Sequence, residues 1–189
     1  MSVEKRIVIT GGPCAGKTSS KSAILEAVLK AGHIPIFIGE TATEVKLSGL
    51  DPAADILSVL DFQRLLTRLQ ISKENTYLDE LEKSDKKFVI FFDRGVIDNR
   101  AYIDDRTWKI LLNELNLTEI DIFKRYDLVL HLVSAAIGAE SYYTIANNKA
   151  RNESLDEAKI QERKNKEAYN GFPYIYYFGN ETSFDEKNK

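Results

Sequence analysis

A glycine-rich run that ends in a lysine and a threonine lies near the start of the chain. It reads GGPCAGKT, from Gly11 to Thr18, and matches the G-x-x-x-x-G-K-[ST] pattern of a phosphate-binding loop. Glycines let the backbone curl so that successive N–H groups face phosphate oxygens, and the next helix adds partial positive charge at its start. The residues predicted to contact phosphate are Gly11, Gly12, Pro13, Cys14, Ala15, Gly16, Lys17, Thr18 and Ser19.

Two side chains of this loop are predicted to bind the charged groups of the ligand, namely its phosphates and its metal ion. Lys17 can reach the β- and γ-phosphates of ATP or GTP, and the Thr18 hydroxyl can bind Mg²⁺. The sequence therefore predicts a nucleoside triphosphate and Mg²⁺ at this loop. Cys14 is either a small residue suited to a tight turn or a redox-sensitive thiol beside a helix start, and we favour the turn.

An acid and an arginine follow the most apolar run of the sequence, FVIFF at residues 88–92. A buried strand there would deliver Asp93 to the carboxyl edge of the sheet, where an aspartate holds Mg²⁺ directly or through water. Arg94 comes next and is predicted to contact phosphate. The alternative is that Asp93 only caps the following helix.

A glutamate follows the second apolar run, IPIFI at Ile34–Ile38. In an open parallel sheet, ligands bind beyond the carboxyl ends of the strands, so Glu40 is placed to face an acceptor substrate. It could accept a hydroxyl proton or hold the substrate by hydrogen bonds. Glu44 is a weaker candidate for the same role. The alternative is a solvated loop glutamate or a helix cap.

Residues 139–168 are predicted to form a lid over the phosphates. Arg151 lies there and could neutralise charge that develops on the transferred group, or it could simply be a surface charge. Ser154 and Glu157 have the S-x-x-E spacing of a helix start. His131, within an apolar run, is expected to be a core residue.

The elements that must position these residues follow from the alternation of apolar and amphipathic runs. Further strands are predicted at residues 6–10, 127–133 and 173–178, the last near a sheet edge, and helices at 17–30, 52–84 with a break, 101–115 and 154–169. On one face of the first two helices we expect Ile24, Leu25, Val28 and Leu29, then Phe62, Leu65, Leu66 and Leu69. This pattern predicts an α/β fold with a doubly wound, parallel five-stranded sheet in one domain over residues 1–189. The acid followed by arginine at Asp93 and Arg94 resembles P-loop nucleoside and nucleotide kinases, which implies a sheet like theirs.

Composition narrows the function classes. A net charge of -3 and a pI near 5.6 argue against broad nucleic-acid binding. One cysteine excludes an internal disulfide and a cysteine metal cluster. No apolar run approaches the roughly 20 residues of a membrane span, and no signal peptide is visible, so a cytoplasmic location is expected. Ser183 and Glu186 predict another helix start, which suggests a C-terminal helix cut short at Lys189.

The sequence also resembles a known family. The phosphate loop, Glu40, FFDRG at residues 91–95 and ESYYTIANNKARNE at residues 140–153 resemble the AAA-type P-loop domains grouped with the NadR nicotinamide riboside kinase domain and the TRPL-associated translocation-defect proteins. The resemblance covers nearly the whole chain and implies nucleotide binding, Mg²⁺ and a kinase-like sheet. It does not imply one substrate, because some members resemble regulatory GTP-binding proteins that contact phosphoinositides or tubulin.

Three functions remain open at this point. The leading hypothesis is a small-molecule kinase or NTPase that transfers phosphate to an acceptor such as a nucleoside, a nucleotide or nicotinamide riboside, with Lys17, Glu40, Asp93, Arg94 and Arg151 as its catalytic residues. The second is a regulatory ATP or GTP switch, or slow NTPase, that binds protein or phosphoinositide partners. The third is an ATPase module acting on a macromolecule. A Ras-type Asn-Lys-x-Asp motif is absent, since residues 165–168 read NKEA.

Overall fold

The centre of the molecule is a parallel sheet, seen in a computed structural model that describes residues 2–143 and 154–181. Its order is β2-β3-β1-β4-β5, and every neighbouring pair is parallel. The predicted five-stranded α/β fold is therefore confirmed, with β5 at an edge as expected. The strands are β1 (Val3–Thr10), β2 (Ile34–Ile38), β3 (Phe88–Asp93), β4 (Leu128–Leu132) and β5 (Ile175–Phe178).

Helices cover the sheet and enclose an apolar core on each side. Strand β3 is buried from Phe88 to Phe92 because helices pack against both of its faces, which explains its unbroken apolar run. The helices are α1 (Lys17–Lys30), α2 (Thr41–Leu47), α3 (Val59–Leu81), α4 (Asp105–Glu114), α5 (Glu119–Phe123) and α6 (Leu155–Ala168), with 3₁₀ helices at Pro52–Ala54, Val96–Tyr102 and Glu140–Tyr142. None of the helices in the described ranges is long and apolar enough to cross a bilayer.

Helix starts largely follow their capping residues. Ser58 accepts a hydrogen bond from the Asp61 amide at 3.1 Å, so α3 begins after the predicted break. Ser154 and Glu157 form the predicted capping box of α6. The helix predicted at 101–115 is present as α4, but it begins four residues later, because Asp104 caps the Thr107 amide at 2.9 Å and separates α4 from the 3₁₀ helix before it.

The buried stripe of α3 differs from the predicted one. Leu69 is exposed, and polar side chains are buried in the same stretch because α3 packs against the 3₁₀ helix Val96–Tyr102. There Asn99 donates hydrogen bonds to Thr67 Oγ1 at 3.0 Å and to Gln70 Oε1 at 3.2 Å. The polar residues of this stripe are Gln63, Thr67, Gln70 and Glu74. On α1, Leu29 is also exposed, whereas Ile24 and Val28 pack on the core as expected.

Candidate active site

The phosphate loop lies between the carboxyl end of β1 and the start of α1. It turns sharply at three residues with positive φ, namely Gly11 at 143°, Cys14 at 56° and Gly16 at 87°. Gly16 is the N-cap of α1, so no side chain caps the helix, and its first turn carries no acidic residue. The amide groups and dipole at this end of a 14-residue helix are thus left to an anion.

Lys17 and Asp93 face each other beside the loop. Lys17 is the first residue of α1 and Asp93 the last residue of β3, and their Nζ and Oδ1 atoms lie 3.9 Å apart. Burial, together with Arg94, lowers the pKa of Lys17, although Asp93 partly opposes this shift. Burial also raises the pKa of Asp93, with Glu40 and Asp98 adding to it. Each charge is therefore disfavoured by the protein alone and would be favoured by an anion near Lys17 and a cation near Asp93.

A Mg²⁺ ion fits this pair. The Asp93 Oδ1 atom is buried and has no hydrogen-bond partner, so one hard carboxylate oxygen is free to act as a ligand. Thr18 is exposed at the first turn of α1, in the same loop. No three His, Cys, Asp or Glu side chains in residues 2–143 and 154–181 cluster as a metal site, so phosphate oxygens and water would have to complete the ligand set.

Glu40 and Arg94 form an ion pair beside Lys17 and Asp93. Arg94 Nε donates to Glu40 Oε1 at 2.6 Å, and Arg94 Nη1 donates to Asp98 Oδ1 at 3.2 Å. Arg94 has a φ of 67°, an uncommon conformation for a residue with a side chain. The Gln70 amide holds the Arg94 carbonyl at 3.1 Å, which fixes this strained turn.

The Glu40 carboxylate is ionised by its surroundings. Burial raises its pKa, but Arg94, Lys17 and a hydrogen bond from Thr43 outweigh burial, so the pKa lies below its usual value. Glu40 occupies the N-cap position of α2, yet its side chain makes no capping bond to the helix amides. It accepts instead from Arg94 and from the Thr43 hydroxyl, the latter at 2.8 Å. An ionised acceptor at a strand end is suited to orienting a substrate hydroxyl.

Asp98 ties this cluster to the rest of the fold. It accepts hydrogen bonds from the Gly95 amide at 2.8 Å, from the Tyr169 hydroxyl at 2.6 Å and from the Thr10 hydroxyl. With Arg94 as its fourth partner, the buried Asp98 carboxylate fixes the guanidinium that binds Glu40. Asp98 is thus a support for the pair rather than a group left open to substrate.

Four of the five predicted catalytic residues come together here. Lys17, Glu40, Asp93 and Arg94 lie at the carboxyl ends of adjacent strands β1, β2 and β3. The fifth, Arg151, lies outside the described residues, as do residues 144–153 of the predicted lid and the Ser183–Glu186 helix start. Glu44, the weaker candidate, pairs with Lys73 instead.

Two residues of α6 that contact the phosphate loop escaped sequence analysis. Glu162 Oε2 accepts a hydrogen bond from the Gly12 amide at 2.7 Å, and Asn165 Nδ2 donates to the Gly11 carbonyl at 3.2 Å. Both lie on α6, within the predicted lid, and both are buried. Their spacing along the helix could have revealed them. Glu162 and Asn165 lie three or four residues apart from Ala158 and Ala168, on the face of α6 that is buried.

Comparison with known proteins agrees with the fold. The sequence profile of a family described as AAA domain matches residues 6–187. Among solved structures, deoxyadenosine kinase from M. mycoides with products dCMP and a flexible dCDP bound has a TM-score of 0.61 at 16% identity, covering 97% of this chain and 94% of that chain. The same enzyme with bound dATP has a TM-score of 0.58 at 14% identity, covering 98% and 95%. A search of curated proteins found no match.

Proposed function

This chain belongs to the AAA domain family, and we propose that it transfers a phosphoryl group from Mg²⁺-bound ATP or GTP to a hydroxyl group of a small acceptor. The observation that carries the proposal is the Glu40–Arg94 ion pair beside Lys17 and Asp93. A site that only bound or hydrolysed nucleotide would need Lys17 and Asp93. The additional ionised carboxylate at the end of β2 suits a second substrate.

The donor is proposed to bind along the phosphate loop. Lys17 and the amides at the start of α1 would hold the β- and γ-phosphates, and the charge of Lys17 would then gain an anionic partner in addition to Asp93. Thr18 and Asp93 would hold Mg²⁺, which when bound neutralises charge on the phosphates. Ser19 lies in the same exposed first turn.

Glu40 is proposed to orient the acceptor. Its carboxylate would accept a hydrogen bond from the substrate hydroxyl and aim the oxygen at the γ-phosphorus. As the new O–P bond forms and the bond to the β–γ bridging oxygen breaks, the hydroxyl proton passes to Glu40. Because the pKa of Glu40 is lowered, this proton transfer belongs late in the step, when the hydroxyl has become acidic.

Charge at the acceptor end favours an acceptor without phosphate. Within residues 2–143 and 154–181, the cations nearest Glu40 and Glu44 at this end, Arg94 and Lys73, are already paired, Arg94 with Glu40 and Asp98 and Lys73 with Glu44. An acceptor phosphate would have to displace these carboxylates. Since two similar solved structures are of a deoxyadenosine kinase, nucleosides are the first candidates, followed by nicotinamide riboside from the resemblance to the NadR domain.

A product screen tests the proposal. The protein is incubated with Mg²⁺ and ATP or GTP together with single nucleosides, nucleoside monophosphates or nicotinamide riboside, and phosphorylated products are detected by mass spectrometry. Glu40→Gln is expected to slow transfer to the best acceptor by about 10²- to 10⁴-fold while nucleotide affinity stays within about twofold. Glu44→Gln is the matched control, with little expected change. If nucleotide binds but no acceptor is phosphorylated, the kinase proposal fails in favour of a regulatory switch.

A further inference from the structure

In the first half of the phosphate loop, residues 11–13, backbone groups form hydrogen bonds with side chains far away in the sequence. Besides the contacts of Gly12 with Glu162 and Gly11 with Asn165, the Ser134 hydroxyl donates to the Pro13 carbonyl. These bonds come from α6 and from the segment after β4, so they do not depend on a bound nucleotide. The loop conformation is therefore supported from outside in the ligand-free protein.

The Glu162 carboxylate is itself tightly held. His131 Nε2 contacts Glu162 Oε1 at 2.6 Å, and the Ser134 amide donates to Oε2 at 3.2 Å. The Glu162 and His131 side chains are 2% and 0% exposed. Burial raises the pKa of Glu162, but the hydrogen bonds from His131, Gly12 and Ser134 outweigh it, so the pKa lies below its usual value. Glu162 is thus a fixed, ionised acceptor.

The backbone at residue 12 comes as close to this carboxylate as a glycine permits. A Cβ atom at Gly12 would lie 2.5 Å from Glu162 Oε2, well inside van der Waals contact. With its N–H donated to Glu162, Gly12 cannot offer that N–H to a phosphate. Contact with an anion is therefore left to the later part of the loop and to the start of α1.

Packing alone does not account for a carboxylate at this position. Burying a charge is costly unless its hydrogen bonds repay the lost hydration, and an apolar side chain would fill the same space at less cost. The charge also lies next to a loop proposed to bind phosphate, where it opposes an anion. What the carboxylate supplies is a strong hydrogen-bond acceptor for the Gly12 amide.

We propose that Glu162 is a positioning residue, which holds the Gly12 amide and so keeps the phosphate loop in its binding conformation before nucleotide arrives. Asn165 supports the same stretch through the Gly11 carbonyl. The inference rests on the proposed function insofar as the ligand of the loop is a nucleoside triphosphate. A loop that is already ordered loses less conformational entropy when it binds a ligand. Loss of Glu162 would leave the loop less ordered and would therefore weaken nucleotide binding.

Two measurements test this role. Mg²⁺·ATP and Mg²⁺·GTP are titrated by calorimetry, and hydrogen exchange of the Gly12 amide is followed by NMR in the ligand-free protein. Glu162→Met, which lacks an acceptor, is expected to weaken nucleotide binding at least tenfold and to speed Gly12 exchange. Glu162→Gln is expected to lose less, because its amide oxygen can still accept from Gly12.

The control is Glu74, a second buried glutamate that binds Arg125 and Tyr126 rather than the loop. Glu74→Met is expected to lower the melting temperature while leaving the nucleotide Kd within twofold, as a purely structural role predicts. A folded Glu162→Met protein with wild-type Kd and wild-type Gly12 exchange overturns the proposal. If that variant does not fold, wild-type values in both Glu162→Gln and Asn165→Leu overturn it.

The two proposals fail separately. If the wild type binds neither nucleotide but Gly12 exchange still responds to Glu162→Met, the proposed function is wrong and the hold of Glu162 on the loop stands. If the wild type binds nucleotide and the Glu162 variants match it in both measurements, only the role of Glu162 is wrong.

Discussion

Two charges in the site, those of Lys17 and Asp93, are less stable in the protein than they would be in water. Burial lowers the pKa of Lys17 and raises the pKa of Asp93, and the 3.9 Å between them is too long for a strong hydrogen bond. Groups whose charged forms are disfavoured in this way gain stability when a ligand supplies the missing opposite charge. The same residues that we propose for phosphate and Mg²⁺ therefore contribute little to folding.

Lys17→Met tests this separation of stability from function. The substitution keeps the length of the side chain and removes a buried charge that the fold disfavours. We expect the melting temperature of the ligand-free protein to stay the same or to rise, while phosphoryl transfer falls below detection. Thermal unfolding and turnover are measured on the same samples. A large drop in melting temperature would show that Lys17 is mainly structural.

The charge of Glu40 should appear in the pH dependence of stability. Its pKa in the folded protein lies below the ordinary value of 4.5, so the stability it contributes is present above that pH and is lost as the pH falls through the folded pKa. Urea unfolding of the wild type and of Glu40→Gln is compared from neutral to acid pH. The free-energy difference between them should shrink below about 4.5. A constant difference across this range would contradict the ionised Glu40–Arg94 pair.

At the level of elements, α3 connects the acceptor side of the site to the core through polar contacts. Glu74 on α3 binds Arg125 and accepts from the Tyr126 hydroxyl at 2.9 Å, and that hydroxyl accepts from the Val96 amide at 2.7 Å. The contacts fix the start of the 3₁₀ helix that follows Arg94. The buried Glu74 on α3 therefore helps to hold in place the backbone that follows Arg94.

The Tyr126→Phe variant measures how much these hydrogen bonds contribute to the free energy of unfolding. It leaves the Val96 amide without its acceptor and removes one donor from Glu74, and an unsatisfied buried group costs about 1–3 kcal/mol. We expect the free energy of unfolding to fall by that amount in urea titrations, with an unchanged nucleotide Kd. Tyr174→Phe, at an exposed tyrosine, is the control and should leave stability unaltered. Equal stability of the two variants would rule out a contribution from the network.

At the scale of the whole molecule, ligand and metal should stabilise the fold together. A ligand at about 100 times its Kd adds about 2.7 kcal/mol to the free energy of unfolding if it binds the folded state alone. We expect ATP or GTP to raise the melting temperature in the presence of Mg²⁺ and much less after EDTA is added. In the Asp93→Asn variant, ATP or GTP should raise the melting temperature only slightly, and by the same amount with and without Mg²⁺. A full Mg²⁺ effect in that variant would place the metal elsewhere.

Much of the fold could be predicted because its signals are local. Apolar runs marked the strands to within a few residues, and a motif of eight residues marked the phosphate loop. Glu40 and Asp93 could be assigned to one edge because each lies at or just beyond the carboxyl end of a strand in a parallel sheet. Capping residues marked the start of α6 but were overlooked at Asp104, where one helix was predicted in place of two.

Contacts between distant parts of the chain could not be predicted in this way. Gly12 and Glu162 are 150 residues apart, and Glu40 and Arg94 are 54 apart. A glutamate on the buried stripe of a helix looks the same in sequence whether its partner is solvent, a lysine or a backbone amide. Only the packing of α6 against the strand ends decides among these partners.

The strand order has a consequence for the sequence of events during synthesis. Strand β3 lies between β1 and β2 and pairs with both, so these consecutive strands are not joined in the sheet until residues 88–93 have left the ribosome. Glu162 emerges later still, about 150 residues after the loop that it holds. With the role that we propose for Glu162, a nascent chain would carry its phosphate-loop motif from the beginning but would lack the residue that holds the loop in its binding conformation. We would then expect ribosome-bound chains of increasing length to bind nucleotide only once α6 has docked, rather than as soon as the motif has been synthesised.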